Sequence, residues 1–323
     1  MRALYIEDGS LRYSGDFSTP RPGDGEALIK VRCAAICSTD LEIVRGYMNF
    51  NGIPGHEFVG VVEECGDTEL VGRRVVGEIN IGCGACVFCE RGGQNHCPNR
   101  AVLGILNKQG AFADYLTLPA ANLHCLPDSI SDEEALFVEP LAAAFEILEQ
   151  LPVGPGQRVC LFGDGKLGLL IAQVLAGTGC DLVVVGRHSE KLAILDRRGI
   201  STVKGTLPRE GRFDIVVDAT GSAAGVTAAL QVVRPGGRVV LKTTVADPGG
   251  GGVDLNRLVI DEITLTGSRC GPFPPALEAL ERRSVDVIPL ISKTFPLEEG
   301  LDAFSWASRK GVMKVVVTMG GEG

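Results

Sequence analysis

Arg158 to Leu170 reads RVCLFGDGKLGLL. A short apolar run, Val159 to Phe162, passes directly into Gly163-Asp164-Gly165-Lys166-Leu167-Gly168, and apolar residues at helical spacing follow through Leu175. A G-x-G-x-x-G turn between a strand and a helix is the phosphate-binding fingerprint of a dinucleotide fold. The first glycine permits the tight turn, the second lets the backbone approach a pyrophosphate, and the third lets helix and strand pack closely. The helix N-terminus beyond it presents unpaired N–H groups and the positive end of a dipole to the phosphates. Gly163, Gly165, Lys166, Leu167 and Gly168 are therefore candidate cofactor-binding residues.

The same rhythm continues on both sides. Leu182–Val185, Ile215–Asp218, Val239–Leu241 and Ile263–Thr266 read as further strands, with helical patterns at Glu190–Leu195 and from Pro272 to Arg283. Such alternation implies an α/β fold with a doubly wound parallel sheet covered on both faces. At the tip of the second strand, Val185 is followed by Gly186-Arg187-His188-Ser189 and then Lys191. An acid that would accept from ribose hydroxyls is missing from this tip, and glycine leaves room for a phosphate that Arg187, Ser189 and Lys191 could hold. The strand tip favours NADP(H) over NAD(H), the alternative being that Arg187 is a solvated surface charge. Thr220, Lys242 and Arg269 follow later strands and are expected along the same crevice, although Arg269 would serve an interface equally well. Gly249–Gly252 reads as a flexible loop.

The first third of the chain is different. Short apolar strands alternate with Gly/Pro turns at Ala3–Tyr5, Ala27–Val31, Phe58–Val62 and Arg74–Val76, so this part is a β-rich unit with its own core. It carries Cys37-Ser38-Thr39-Asp40 and Pro54-Gly55-His56-Glu57. A thiolate, an imidazole and a carboxylate are zinc ligands, and Asp40 could orient the His56 ring from behind. Cys83, Cys86, Cys89 and Cys97 form a C-x2-C-x2-C-x7-C lobe, the composition of a closed structural zinc site. An iron–sulfur cluster also uses four cysteines, but the remainder of the chain suits a zinc enzyme better. His96, beside Cys97, is read as a surface residue. Ser131 and Glu134 have capping-box spacing and start a helix carrying Glu139, which Pro140 should interrupt or kink.

These stretches, with Gly110–Tyr115 and Glu139-Pro140-Leu141, resemble the zinc-dependent medium-chain dehydrogenases/reductases, the superfamily of alcohol, sorbitol and threonine dehydrogenases. They span nearly the whole chain in the family's order. The resemblance implies a GroES-like catalytic domain, residues 1–135 and 286–323, and a Rossmann cofactor domain, residues 136–285. It implies one catalytic and one structural zinc per chain, a small-molecule alcohol or carbonyl substrate, NAD(P) as hydride carrier and a homodimer or homotetramer. Cys37, His56 and Glu139 resemble the catalytic zinc ligands, and Glu57 the neighbouring carboxylate that can approach or replace one. Thr39 resembles the hydroxyl that passes the substrate proton outward. Many relatives carry a histidine three residues later; here Glu42 stands there. Lys314 falls where relatives place a basic residue near the pyrophosphate, and as a lone lysine it could equally lie at the surface. Glu57 with Glu139 looks more like the polyol and threonine dehydrogenases than the simple-alcohol enzymes. Tyr47–Phe50 and Leu106–Lys108 are expected to line the substrate pocket. The alternative is a non-catalytic or zinc-independent NADP(H)-binding member of the same fold.

Composition bounds what else the chain could be. It has 323 residues, enough for two cored domains, and 45% hydrophobic with 22% charged residues is ordinary for a globular protein. A net charge of −9 argues against nucleic acid and anionic membrane as partners. The stretch Met1–Phe17 has no apolar core of signal-peptide length, and no apolar run reaches the length of a membrane span, so a cytoplasmic location is expected. Eleven cysteines, an odd count, in a reducing compartment point to metal or catalysis rather than disulfides.

Overall fold

The computed structural model describes residues 1–207, 212–244 and 254–320. The chain divides into two compact units, Met1–Glu139 with Val287–Gly323 and Pro140–Asp286. The glycine run 249–252 lies outside the described residues.

The first unit is mostly sheet. Its strands are β1 (Ala3–Glu7), β2 (Ser10–Ser14), β3 (Glu26–Ile36), β4 (Glu57–Cys65), β5 (Arg74–Gly77), β6 (Asn80–Ile81), β7 (Ala101–Leu103), β8 (Asn107–Lys108), β9 (Tyr115–Pro119) and β10 (Leu123–Cys125). Between β3 and β4 lies helix α1 (Ser38–Val44); α2 (Asp132–Ala135) and α3 (Val138–Gln150) follow β10. Ser131 caps α2, accepting from Glu134 N–H while the Glu134 carboxylate accepts from Ser131 N–H. That is the reciprocal box its spacing predicts. Pro140 does not kink a helix carrying Glu139. It sits in the first turn of α3, where its missing N–H has no intrahelical acceptor to lose. Glu139 thus lies on α3, apart from the helix that Ser131 caps.

The second unit holds β11 (Arg158–Phe162), α4 (Lys166–Ala176), β12 (Asp181–Gly186), α5 (Ser189–Asp196), β13 (Ser201–Lys204), β14 (Phe213–Asp218), α6 (Ala223–Val232), β15 (Val233–Leu241), α7 (Leu255–Ile260), β16 (Thr264–Gly267) and α8 (Phe273–Glu281). The strands run β13-β12-β11-β14-β15-β16, all parallel. Strand order reverses between β11 and β14, which puts the crevice for a ligand at the carboxyl ends of those strands. Buried residues such as Cys160, Val185, Val216, Val226, Leu230 and Val239 pack one face of the sheet. β13 has no apolar run to announce it: STVK is held by parallel pairing to Val183–Gly186.

The chain then returns to the first unit with β17 (Ile291–Pro296), α9 (Gly300–Ala307) and β18 (Lys314–Thr318). β18 pairs antiparallel with β3, and β3 with β4, within a sheet ordered β10-β5-β4-β3-β18-β17. Trp306, the only tryptophan, is half-buried on α9 with the Lys293 ammonium and the Arg309 guanidinium 4.3 and 4.2 Å from its ring.

Candidate active site and zinc centres

Strand register assembles the first centre. Val315 of β18 faces Ile36 of β3, and Ala35 of β3 faces Glu57 of β4. Lys314, Cys37 and Glu57 therefore meet at one end of three neighbouring strands. Cys37 is the N-cap of α1, and its N–H donates to Asp40 Oδ2 at 2.7 Å. Asp40 is fully buried, and its Oδ1 stands 3.1 Å from His56 Nδ1. Ligand atoms of Cys37, His56 and Glu57 all lie within 4.8 Å of one another. Burial disfavours charge on His56, but the Asp40 carboxylate, and Cys37 beside the ring, outweigh it and raise its pKa.

Glu57 is 1% exposed. Its Oε2 accepts from the Lys314 ammonium, which is equally buried, while Oε1 finds no hydrogen-bond donor among the described residues. A buried carboxylate oxygen without a partner is costly, and a cation beside Cys37 and His56 would satisfy it. The donor set of sulfur, nitrogen and oxygen suits zinc. Lys314 is thus not a surface lysine: its ammonium meets Glu57. Burial would lower its pKa, yet Glu57, Cys37 and Glu139 raise it. Glu139 stands outside the group of mutually close ligand atoms, near enough to Lys314 to act on its charge. Thr39 Oγ1 is 3.8 Å from Cys37 Sγ. Glu42, one turn on, pairs with Arg45 at 2.5 Å in solvent. Met48–Phe50 and Leu106–Lys108 do come together, lining a cavity of about 350 Å³ in this unit.

The second centre is the cysteine lobe. The four Sγ atoms of Cys83, Cys86, Cys89 and Cys97 lie within 4.8 Å, with Cys86 3.5 Å from Cys89 and 3.7 Å from Cys97. Four sulfurs about 2.3 Å from a tetrahedral zinc would be ~3.8 Å apart, so the lobe is already close to ion-binding geometry. The Ala85 N–H and the Cys97 sulfur pull the Cys83 thiol down to about 7, while burial and Cys86 push Cys89 up to about 11. His96 is exposed.

In the second unit, Gly163, Gly165, Arg187, Lys191 and Thr220 line one pocket of about 480 Å³, together with Asp164, Gly186, His188 and Gly205. Gly168 packs so tightly that a Cβ there would run into the Gly163 carbonyl, which is the role expected of a third glycine. Lys166 and Leu167 lie in the first turn of α4. Ser189 is exposed and accepts from Lys204 Nζ at 2.8 Å. Lys242 is buried, donating to Ser268 Oγ at 2.9 Å and to the Arg269 carbonyl at 2.6 Å; Arg269 itself is exposed. Among the described residues, none of these last six lines the pocket.

One expectation is corrected. The tip of β12 does have an acid, contributed by the glycine-rich turn. Asp164 Oδ2 accepts from both Arg187 N–H and His188 N–H at 2.6 Å. Gly186 does not leave open space: a Cβ there would lie 2.6 Å from that carboxylate oxygen. The sequence signal was in plain view inside the fingerprint, but it belonged to a different segment from the strand tip it serves.

Two units, one doubly wound and one β-rich with a Cys/His/Glu centre and a four-cysteine lobe, define a zinc-dependent dehydrogenase. Comparison with known proteins agrees. Residues 23–128 match the alcohol dehydrogenase GroES-like domain and residues 167–283 the zinc-binding dehydrogenase family. L-threonine 3-dehydrogenase of Coxiella burnetii is 32% identical over 88% of this chain and 90% of its own. Among solved structures, the alcohol dehydrogenase rspB of Escherichia coli CFT073, complexed with NADH, superposes with a TM-score of 0.90 at 27% identity, covering 99% of both chains. A zinc-binding dehydrogenase of Sinorhizobium meliloti 1021 bound to NADP gives 0.87 at 26% identity over 98% of both. The chain belongs to the zinc-dependent medium-chain dehydrogenase/reductase family. It is an oxidoreductase of the NAD(P)-dependent alcohol dehydrogenase type, with a GroES-like and a Rossmann-like domain.

Proposed function

We propose that this chain catalyses reversible hydride transfer between a polyol or a β-hydroxy amino acid and a nicotinamide dinucleotide, using one catalytic and one structural zinc. The convergence of Cys37, His56 and Glu57 within 4.8 Å carries the reading. Zinc bound there would supply Lewis acidity toward a substrate oxygen, and the nicotinamide would take up hydride. The protein's own groups do the rest. Cys37 and His56 hold the ion, with Asp40 fixing the ring from behind. Glu57 and Glu139 are the candidate third ligands, and Lys314 holds Glu57 in place. Thr39, next to Cys37, takes the substrate hydroxyl proton and passes it toward solvent. Cys83, Cys86, Cys89 and Cys97 hold the second zinc, which keeps their lobe folded.

In this reading the first unit is the catalytic domain and the second binds the dinucleotide through Gly163, Gly165, Arg187, Lys191 and Thr220. Arg187 and Lys191 would attract the 2′-phosphate of NADP(H), whereas Asp164 would oppose it. The resemblance to threonine and polyol dehydrogenases supports the substrate class, and family habit supports a homodimer or homotetramer. No helix among the described residues is long and apolar enough to cross a membrane, and the free cysteines suit a cytoplasmic enzyme.

The test is a panel of alcohols, polyols and β-hydroxy amino acids, assayed with both cofactors after zinc loading. Turnover of one polyol or hydroxy amino acid, at least about a hundredfold faster than simple alcohols, would support the reading. Bound zinc without turnover of any of them would refute it.

A further inference from the structure

Asp164 occupies the position at which a dinucleotide fold reads the adenosine ribose. Two backbone N–H groups at a strand tip form a small anion-binding nest. In an enzyme for NADP(H) such donors, with a nearby cation, receive the 2′-phosphate; in one for NAD(H) an acid there accepts from the ribose hydroxyls. In this chain the nest is filled from within. Arg187 N–H and His188 N–H both donate to Asp164 Oδ2, and His188 Nδ1 lies 3.1 Å from each carboxylate oxygen. Asp164 is only 7% exposed, yet it lines the pocket. Gly186 is required by this arrangement, because any side chain would collide with the carboxylate.

We propose that Asp164, carried by the glycine-rich turn, is a specificity-determining residue that reserves the pocket for NAD(H). It takes the donors a 2′-phosphate would need and sets a like charge beside that phosphate. Its second oxygen, Oδ1, has acceptor capacity for a ribose hydroxyl. This reverses the preference that the cations at the strand tip suggest. Arg187 is exposed and Lys191 half-exposed on the same pocket wall. Both remain available, so removing the acid should turn the pocket toward the phosphorylated nucleotide. The inference rests on the dehydrogenase reading and sharpens it.

Direct titration of NADH and NADPH into the full-length zinc-loaded protein, followed by nucleotide fluorescence, tests it without turnover. The wild type should bind NADH about tenfold tighter than NADPH or better. Asp164→Ala should lower that ratio by about tenfold or more, chiefly by tightening NADPH. Asp164→Asn keeps an acceptor for the two N–H groups and so preserves the turn; it should move the ratio the same way by removing charge alone. Tighter NADPH binding by the wild type would overturn the proposal, as would variants that weaken both nucleotides equally, the result expected of a merely structural cap. If neither nucleotide bound the wild type, the dinucleotide reading itself would fall, and this inference with it.

Discussion

Asp40 shows how much a single buried carboxylate can organise. One oxygen accepts from Cys37 N–H and starts α1; the other faces His56 Nδ1 at 3.1 Å. It thus fixes both the sulfur and the ring that would share a metal. Asp40→Asn should weaken zinc binding at this centre about 10–100-fold, measured by competition with a chromogenic chelator. Lys314 makes a different kind of contribution. It and Glu57 are a buried pair, so Lys314→Met leaves a carboxylate without its partner. In chemical denaturation of the metal-free protein the variant should lose about 3–5 kcal/mol. An unchanged midpoint would mean that the pair contributes nothing to the stability of the metal-free fold. Cys37, His56 and Asp40 could be read from the sequence because they lie in two short motifs. The Glu57–Lys314 pair could not, because its members are 257 positions apart and meet only through the register of β18 on β3 and β3 on β4.

Local elements carry the next level. The turn from β12 into α5 is closed by Asp164. Burial alone would raise the pKa of this carboxyl, but hydrogen bonds from His188 and Arg187 outweigh it and hold it below the ordinary value. The sign follows. An acid whose folded pKa is lowered contributes stability that is complete above its unfolded pKa, about 3.9, and is lost as pH falls through the folded value. Melting curves between neutral pH and about pH 3 should therefore converge for wild type and Asp164→Asn as the solution is acidified. A gap that stays constant would contradict this account of the turn. The cysteine lobe has little else to hold it, being built from short 3-10 turns around Cys89 and His96. Cys97→Ser should release one zinc per chain and lower the melting temperature by roughly 5 °C or more. Caps and motifs at this scale were legible, as Ser131 shows. β13 was not, because STVK has no hydrophobic pattern and becomes a strand only by pairing with β12. The helix that carries Glu139 was not legible either, because proline in a first turn reads the same in sequence as proline in a helix interior.

At the scale of the whole molecule, alternation of strand and helix from Arg158 onward predicted a parallel sheet, and the order β13-β12-β11-β14-β15-β16 is the doubly wound arrangement. Order, unlike alternation, has no local signal; it is set by the pairing of β11 with β12 on one side and β14 on the other. The β-rich unit was legible as a class, but not the return of β17 and β18 to its sheet as neighbours of β3. That return brings Lys314 to the centre built by the first 57 residues, so the site is finished by the end of the chain. The account stands on one ion held by Cys37 and His56. Elemental analysis of purified wild type and His56→Ala, paired with NADH titration and turnover, tests it most directly. The expected result is two zinc ions in the wild type and one in the variant, with nucleotide binding kept and turnover reduced by about 10³-fold or more. A variant that kept both zincs and its turnover would contradict it.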